Sequence, residues 1–287
     1  MPPFTVVPTA YAGAIGVAGS IQFANTNPGD ITSDHSKFSY TAGADLSGVL
    51  SVNNIATPST GRVPKLGSGA SQQTGNNNVA IGVNAGLSQS GESVAVGHSA
   101  GASQATNAVA VGYSAGASQA TNAVAVGHSA GADQAESAIA IGLSAGATQD
   151  TTAIALGKNA GHNQSMAAVA IGESAGSTSQ AANAVAVGVY AGITQAASAV
   201  AIGDGAGAKQ LGSAIAVGAS AGADQALNAV ALGHSAGLAQ LESAIAMGTN
   251  AGASQALNAV AIGNTAGAKQ LESAIALGTN AGADQKE

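Results

Sequence analysis

Residues 107–121 read Asn-Ala-Val-Ala-Val-Gly-Tyr-Ser-Ala-Gly-Ala-Ser-Gln-Ala-Thr, and residues 122–136 read Asn-Ala-Val-Ala-Val-Gly-His-Ser-Ala-Gly-Ala-Asp-Gln-Ala-Glu. The second line is the first with three substitutions, and the pattern extends in both directions. Fourteen copies of one phrase, an aliphatic residue, Ala, a second aliphatic, then Gly-x-x-Ala-Gly-x-x-Gln, run from Val79 to Gln285. The first Gly recurs every 15 residues from Gly82 to Gly172 and, after one inserted residue, from Gly188 to Gly278. A fixed short period is the mark of a solenoid, in which each unit packs only on its neighbours.

Composition supports that reading. Aromatic residues make up 2% of the 287-residue chain and charged residues 7%, while Gly fills 41 positions. Large side chains for a conventional core are scarce, and the low charge does not suit a solvated disordered chain. Ala-Val-Ala-Val alternates with the period of a strand, placing the branched residues on one face and the alanines on the other. Gly ends the strand with the backbone freedom a turn needs, and Ala-Gly marks a second short strand or a corner. The predicted fold is all-β: a parallel β-roll of about fourteen 15-residue coils. At about 4.8 Å per coil it would be roughly 65–70 Å long.

Three segments divide the chain. Residues 1–55 carry five of the seven aromatics, and alternating runs such as Ser20–Phe23, Lys37–Tyr40 and Gly48–Val52 predict a small β module. Residues 56–76 are rich in Gly, Ser, Thr and Pro and read as a linker or neck. Residues 77–287 form the repeat shaft.

A Gln stands in every copy: Gln89, Gln104, Gln119, Gln134, Gln149, Gln164, Gln180, Gln195, Gln210, Gln225, Gln240, Gln255, Gln270 and Gln285. Amides at equal positions in stacked coils predict a structural ladder or a clamp on their own turns, and a buried amide must be satisfied. The two residues after the first Gly vary freely, so His98, Tyr113, His128, Tyr190 and His234 form a candidate exposed adhesion edge. From Val200 onward the first aliphatic alternates Val and Ile, with Leu moving between the first and second positions after Gln. We expect these exchanges of volume to pack the narrow interior. Lys209 and Asp224 share a position one coil apart, as do Lys269 and Asp284, which predicts surface ion pairs.

Other chemistry has little support. The net charge is −7 and the repeats hold four Lys, so no basic stripe for nucleic acid exists. Cys is absent, and no apolar stretch reaches the length of a membrane-spanning helix. The opening MPPFTVVPTAYAGAIG lacks a basic segment, so a secretory signal is not expected. His98 and His128 lie two coils apart, about 10 Å, too far to share a metal within one chain. No catalytic constellation or phosphate loop emerges, and neither an enzyme nor a cofactor is expected.

The phrase Asn-Ala-Val-Ala-Val-Gly-x-Ser-Ala-Gly at Asn107–Gly116 and Asn122–Gly131 resembles the head repeats of trimeric autotransporter adhesins, the YadA-like family. Asn78–Gly82 and Ser93–Gly97 are the nearest matches. The resemblance covers residues 77–287 and implies a left-handed roll that packs as a homotrimer. The period of 15 and the added Gln depart from the family's commoner pattern. Gly19–Phe23, Phe38–Tyr40 and Ser47–Val52 resemble the opening module of tailed-phage fibre and appendage proteins. Together the resemblances imply a structural fibre of a bacteriophage virion. Its N-terminal module would contact other virion proteins, and its shaft would reach towards a host surface component. The alternative is a head fragment of a bacterial trimeric surface adhesin. A lone coil would leave its Ala face exposed, and we expect that face to form the contact between copies.

Overall fold

The computed structural model describes residues 65–66 and 78–282. The expected N-terminal β module lies outside these residues, as do Gln285 and the Lys269–Asp284 pair's acidic member. The described residues form a parallel β-solenoid of about thirteen turns. Each coil supplies a three-residue strand, such as Val109–Val111, and in most coils a two-residue strand, such as Ser118–Gln119. Stacking builds one 15-stranded and one 10-stranded parallel sheet. The register is one repeat per step: Ile139 pairs with Val124 below and Ile154 above.

The first sheet opens earlier than the repeat count implies. Lys65–Leu66, inside the expected linker, pairs in parallel with Ala80–Ile81. In sequence, Leu66-Gly67-x-x-Ala70 matches Ile81-Gly82-x-x-Ala85, a degenerate copy of the phrase that the Gly/Ser-rich composition hides.

Four positions per coil adopt positive φ and turn the chain. In the coil from Val109 these are Gly112 at 135°, Ser114 at 51°, Gly116 at 60° and Asn122 at 61°. Ser and Asn recur at the two non-Gly corners because short polar side chains tolerate the left-handed region best. Ala-Gly is therefore a corner, and the second strand falls two residues later, on x-Gln. The inserted residue is absorbed just before Gln180, where the Thr178 and Ser179 amides both donate to the Ile193 carbonyl (3.1 and 3.2 Å). Two residues facing one partner is a β-bulge, which lets the register resume unchanged.

The alternation sorts side chains into two faces as expected, but the roles of those faces are the reverse of a shared Ala interface. Ala108, Ala110 and Ala115, and their equivalents along the stack, are fully buried inside the coil. The Val and Ile side chains point outward and are half-buried or exposed. The space between the two strands of a coil is so thin that only methyl groups and one amide fit. The Val/Ile and Leu alternation from Val200 lies outside as well: Leu211 is 56% exposed and Leu227 41%. The expected interior volume exchange is thus an exterior feature.

The 10-stranded sheet ends at Asp224–Gln225, with a single bridge onward from Gln225 to Gln240. Beyond it Ala239, Ser254 and Lys269 turn to φ near 55°. Their peptides reverse. Lys209 donates forward to the Ala223 carbonyl, whereas Lys269 donates back to the Ala253 carbonyl. Ala208-Lys209-Gln210 and Ala268-Lys269-Gln270 are identical tripeptides, so nothing in the local sequence explains the switch. The described residues contain no helix long and apolar enough to cross a membrane.

Candidate functional site

Two columns of side chains stand out, one inside the roll and one outside. The inner column is the Gln ladder. Each described Gln from Gln89 to Gln270 is at least 95% buried. The Nε2 of Gln134 donates to Gln149 Oε1 at 2.9 Å, Gln149 Nε2 donates to Gln164 Oε1 at 2.9 Å, and the series continues in one direction to Gln270. The second Nε2 hydrogen crosses the coil to the opposite sheet, as from Gln149 to the Ile139 carbonyl at 2.9 Å and from Gln104 to the Val94 carbonyl at 3.1 Å. One side chain therefore serves as both ladder rung and clamp. Cross-coil bonds run from Gln89 through Gln240 and are absent at Gln255 and Gln270, in the last two of the three coils with a reversed peptide.

Glycine makes room for the amide. A Cβ at Gly146 would lie 2.4 Å from Gln149 Oε1, and the same conflict recurs at Gly101, Gly116 and Gly131 with their own Gln. The Ala-Gly dipeptide is thus fixed by its corner and by the side chain that fills the space beside it. From Gln104 to Gln240 each amide accepts from one rung, donates to the next and clamps the opposite sheet, whereas Gln270 Nε2 has no hydrogen-bond partner among the described residues. The ladder's role is to hold the two sheets together and the coils in register.

The outer column is the residue after the first Gly. His98, Tyr113 and His128 stack face to face, with ring centroids 5.0 Å apart and planes 9° and 13° from parallel. Ser99 Oγ lies 3.0 Å from His98 Nδ1, and Ser129 Oγ 3.1 Å from His128 Nδ1, which leaves Nε2 as each ring's remaining polar atom. Further along, Lys158 Nζ meets Glu173 Oε1 at 2.8 Å, with both side chains about half exposed. The hydrogen bond to Glu173, and then its charge, raise the Lys158 pKa above the ordinary lysine value. Spacing of 15 could have revealed both contacts, because residues one repeat apart must touch along a column.

The expected edge is therefore only partly one site. His98, Tyr113, His128 and His234 share the column, but Tyr190 stands one position later, at a left-handed corner with φ 53°. His234 is seven coils from His128 and joins no ring stack. Lys209 and Asp224 are register neighbours, yet their charged groups form no ion pair; among the described residues that contact is made by Lys158 and Glu173. No group of three His, Asp or Glu among the described residues is placed to hold a metal.

The rings of the stack occupy each other's faces and expose their edges. Each such pair contributes about 0.5–1.5 kcal/mol, and Tyr113 makes two. Tyr113→Ala should therefore shift unfolding by about 1–3 kcal/mol and couple to His98 by no more than about 1.5 kcal/mol. A double-mutant cycle with His98→Ala, read by urea denaturation, checks this. A coupling well beyond that would make the column a structural spine.

No protein-family model and no curated protein matches this chain.

Proposed function

We propose that this chain is the shaft-bearing subunit of a homotrimeric structural fibre of a bacteriophage particle, with no catalytic role. One observation carries the trimeric part. The outward side chains of the three-residue strands are aliphatic in all fourteen copies, from Val79 and Ile81 to Ile275 and Leu277. They make two uncharged stripes along the roll. At about 4.8 Å per coil the stripes are about 65 Å long, an apolar patch on the order of 600 Å². That lies at the upper end of what monomers leave in water. Only a partner with the same 15-residue step can follow the stripes along their whole length, and a second copy has it. Among the described residues no acidic side chain occupies an outward position of the three-residue strands, so copies can meet there without bringing like charges together.

The partner face is thus the Val/Ile face and not the Ala face. Assignment to a virion rests on the resemblance of residues 1–55 to phage appendage modules and of the repeat to adhesin heads. In this reading the N-terminal module contacts other virion proteins. The shaft gives reach, and His98, Tyr113, His128, Tyr190 and His234 are available to a host surface component. The alternative, a bacterial adhesin head, uses the same roll on a cell.

Light scattering at micromolar concentration should give three chain masses. Val126→Lys with Ile141→Lys should yield monomers that retain the β circular dichroism of the roll. A monomeric wild-type chain would overturn the trimer. Immunogold label on purified particles supports the fibre, and label on cells supports the adhesin head.

A further inference from the structure

We propose that the two-coil alternation between Val200 and Ile275 fixes the axial register between copies of this chain; the proposal rests on the trimer reading above. Fifteen-residue coils pose a register problem. A shaft of near-identical coils can slide past a neighbour by one coil, about 4.8 Å, and recover most of its contacts. The coils before Val200 carry no two-coil alternation to oppose that slip.

The later coils come in two forms. In one, Leu directly follows Gln and the strand opens with Ile, as in Leu211 with Ile215 and Leu241 with Ile245. In the other, Leu sits one residue later and the strand opens with Val, as in Leu227 with Val230. All of these side chains lie outside the coil, where water places no premium on matched volume. Leu211, Leu227 and Leu241 are 56, 41 and 51% exposed. The leucine ridge therefore zigzags with a pitch of two coils. It leaves a groove of about 470 Å³ in which Leu211 and Leu241 stand either side of Ala226. Part of the pattern has a cause within the chain: a Cβ at Gly212 would lie 3.3 Å from Leu227, so Leu227 packs over that glycine. That contact does not account for Val and Ile changing in step on the strand face.

A neighbouring copy explains both. Where the strand opens with the larger Ile, the second position after Gln is Gly or Glu; at Val230 and Val260, where it opens with the smaller Val, that position is Leu. At equal height the summed apolar volumes, Val with Leu and Ile with Gly or Glu, differ less from level to level than they do after a slip of one coil. A slip of one coil brings Ile against Leu and Val against Gly or Glu, which overpacks one level and leaves a gap at the next. Polar or bulky positions that penalise the wrong alignment are a recurrent way to specify register.

The test is a phase-inverted chain in which segments 211–225 and 226–240 exchange places, as do 241–255 and 256–270. It has wild-type composition and length. Tagged wild type and the inverted chain are co-refolded in equal amounts and sorted by native mass spectrometry. If the alternation sets register, both form homotrimers and mixed trimers fall below about one in ten. Random assortment gives mixed trimers in about three-quarters of the population, and that result overturns the register proposal while leaving the trimer intact. If wild type alone is monomeric, the trimer reading itself fails. Should the inverted chain not fold, the pair Val230→Ile and Val260→Ile in an otherwise wild-type chain serves instead. It should lower trimer stability, and Leu227→Ala with Leu257→Ala on the same chain should restore it. No restoration overturns the proposal.

Discussion

Replacing Gln149 with Leu should destabilise the roll by about 3–5 kcal/mol, although the new side chain is apolar and the site is fully enclosed. Gln149 is 3% exposed and donates to Gln164 Oε1, the Ile139 carbonyl and, at 3.3 Å, the Ala153 carbonyl. It also accepts from Gln134 Nε2. Leucine removes all of these and leaves Gln164 Oε1 buried without a donor. Gln134 fares better, because its Nε2 keeps the Val124 and Ala138 carbonyls. Each stranded buried polar group costs about 1–3 kcal/mol, which sets the range.

Gln149→Glu should be worse at neutral pH, since a carboxylate would face two acceptors at 2.9 Å with no donor of its own. Burial and that repulsion raise the folded-state carboxyl pKa above its unfolded value. The folded state then holds the proton more tightly, so the variant's stability is highest below the unfolded pKa and falls as pH rises through the folded one. Urea midpoints for both variants at pH 4 and pH 8 decide the matter. A Leu variant within 1 kcal/mol of wild type, or a Glu variant whose midpoint is flat with pH relative to wild type, would show that the ladder contributes little.

The repeat, the strand period, the parallel stack and the Gln ladder were all legible in the sequence, because each is a statement about residues at fixed spacing. The orientation of the coil was not. Alternation divides Val109 and Val111 from Ala108 and Ala110, but it does not say which set looks inward. Hydrophobicity argues for Val inside, and volume decides for Ala. The evidence for volume was present at Gly116, where a Cβ would overlap Gln119, but it becomes visible only once the amide is known to lie inside. The outer column was legible in principle: Tyr113 between His98 and His128, and Lys158 before Glu173, are 15 residues apart. The strand at Lys65–Leu66 was hidden because a single pairing in a Gly/Ser-rich stretch carries no period of its own. The peptide reversal at Ala239, Ser254 and Lys269 has no sequence signature, as the identical tripeptides at Lys209 and Lys269 make plain.

Gly142→Ala should destabilise the shaft by more than about 4 kcal/mol, because two penalties coincide. Gly142 has φ +132°, a region that L residues occupy only with strain of about 1–3 kcal/mol. Its Cβ would also lie 2.6 Å from the Gly157 carbonyl oxygen and 2.7 Å from its carbon, both backbone atoms of the next coil. Relief requires the coils to move apart, and that movement weakens the strand pairing of Ile139–Ile141 with Ile154–Leu156 and the Gln149–Gln164 rung. In a stack where each coil touches only its neighbours, such a defect acts as a break between two shorter solenoids. Amide exchange should therefore quicken on both sides of residues 142–157 while distant coils keep their protection. Gly205→Asn is the control. Gly205 has φ +61° in the column where Ser, Asn and Thr occupy the same corner, and its nearest Cβ neighbour is 3.8 Å away. That variant should fall within about 0.5 kcal/mol of wild type, or above it, since a side chain there restricts the unfolded chain. Equal losses at the two positions would mean that coil spacing yields to a methyl group, and that the unbroken Gly column is not what sets it.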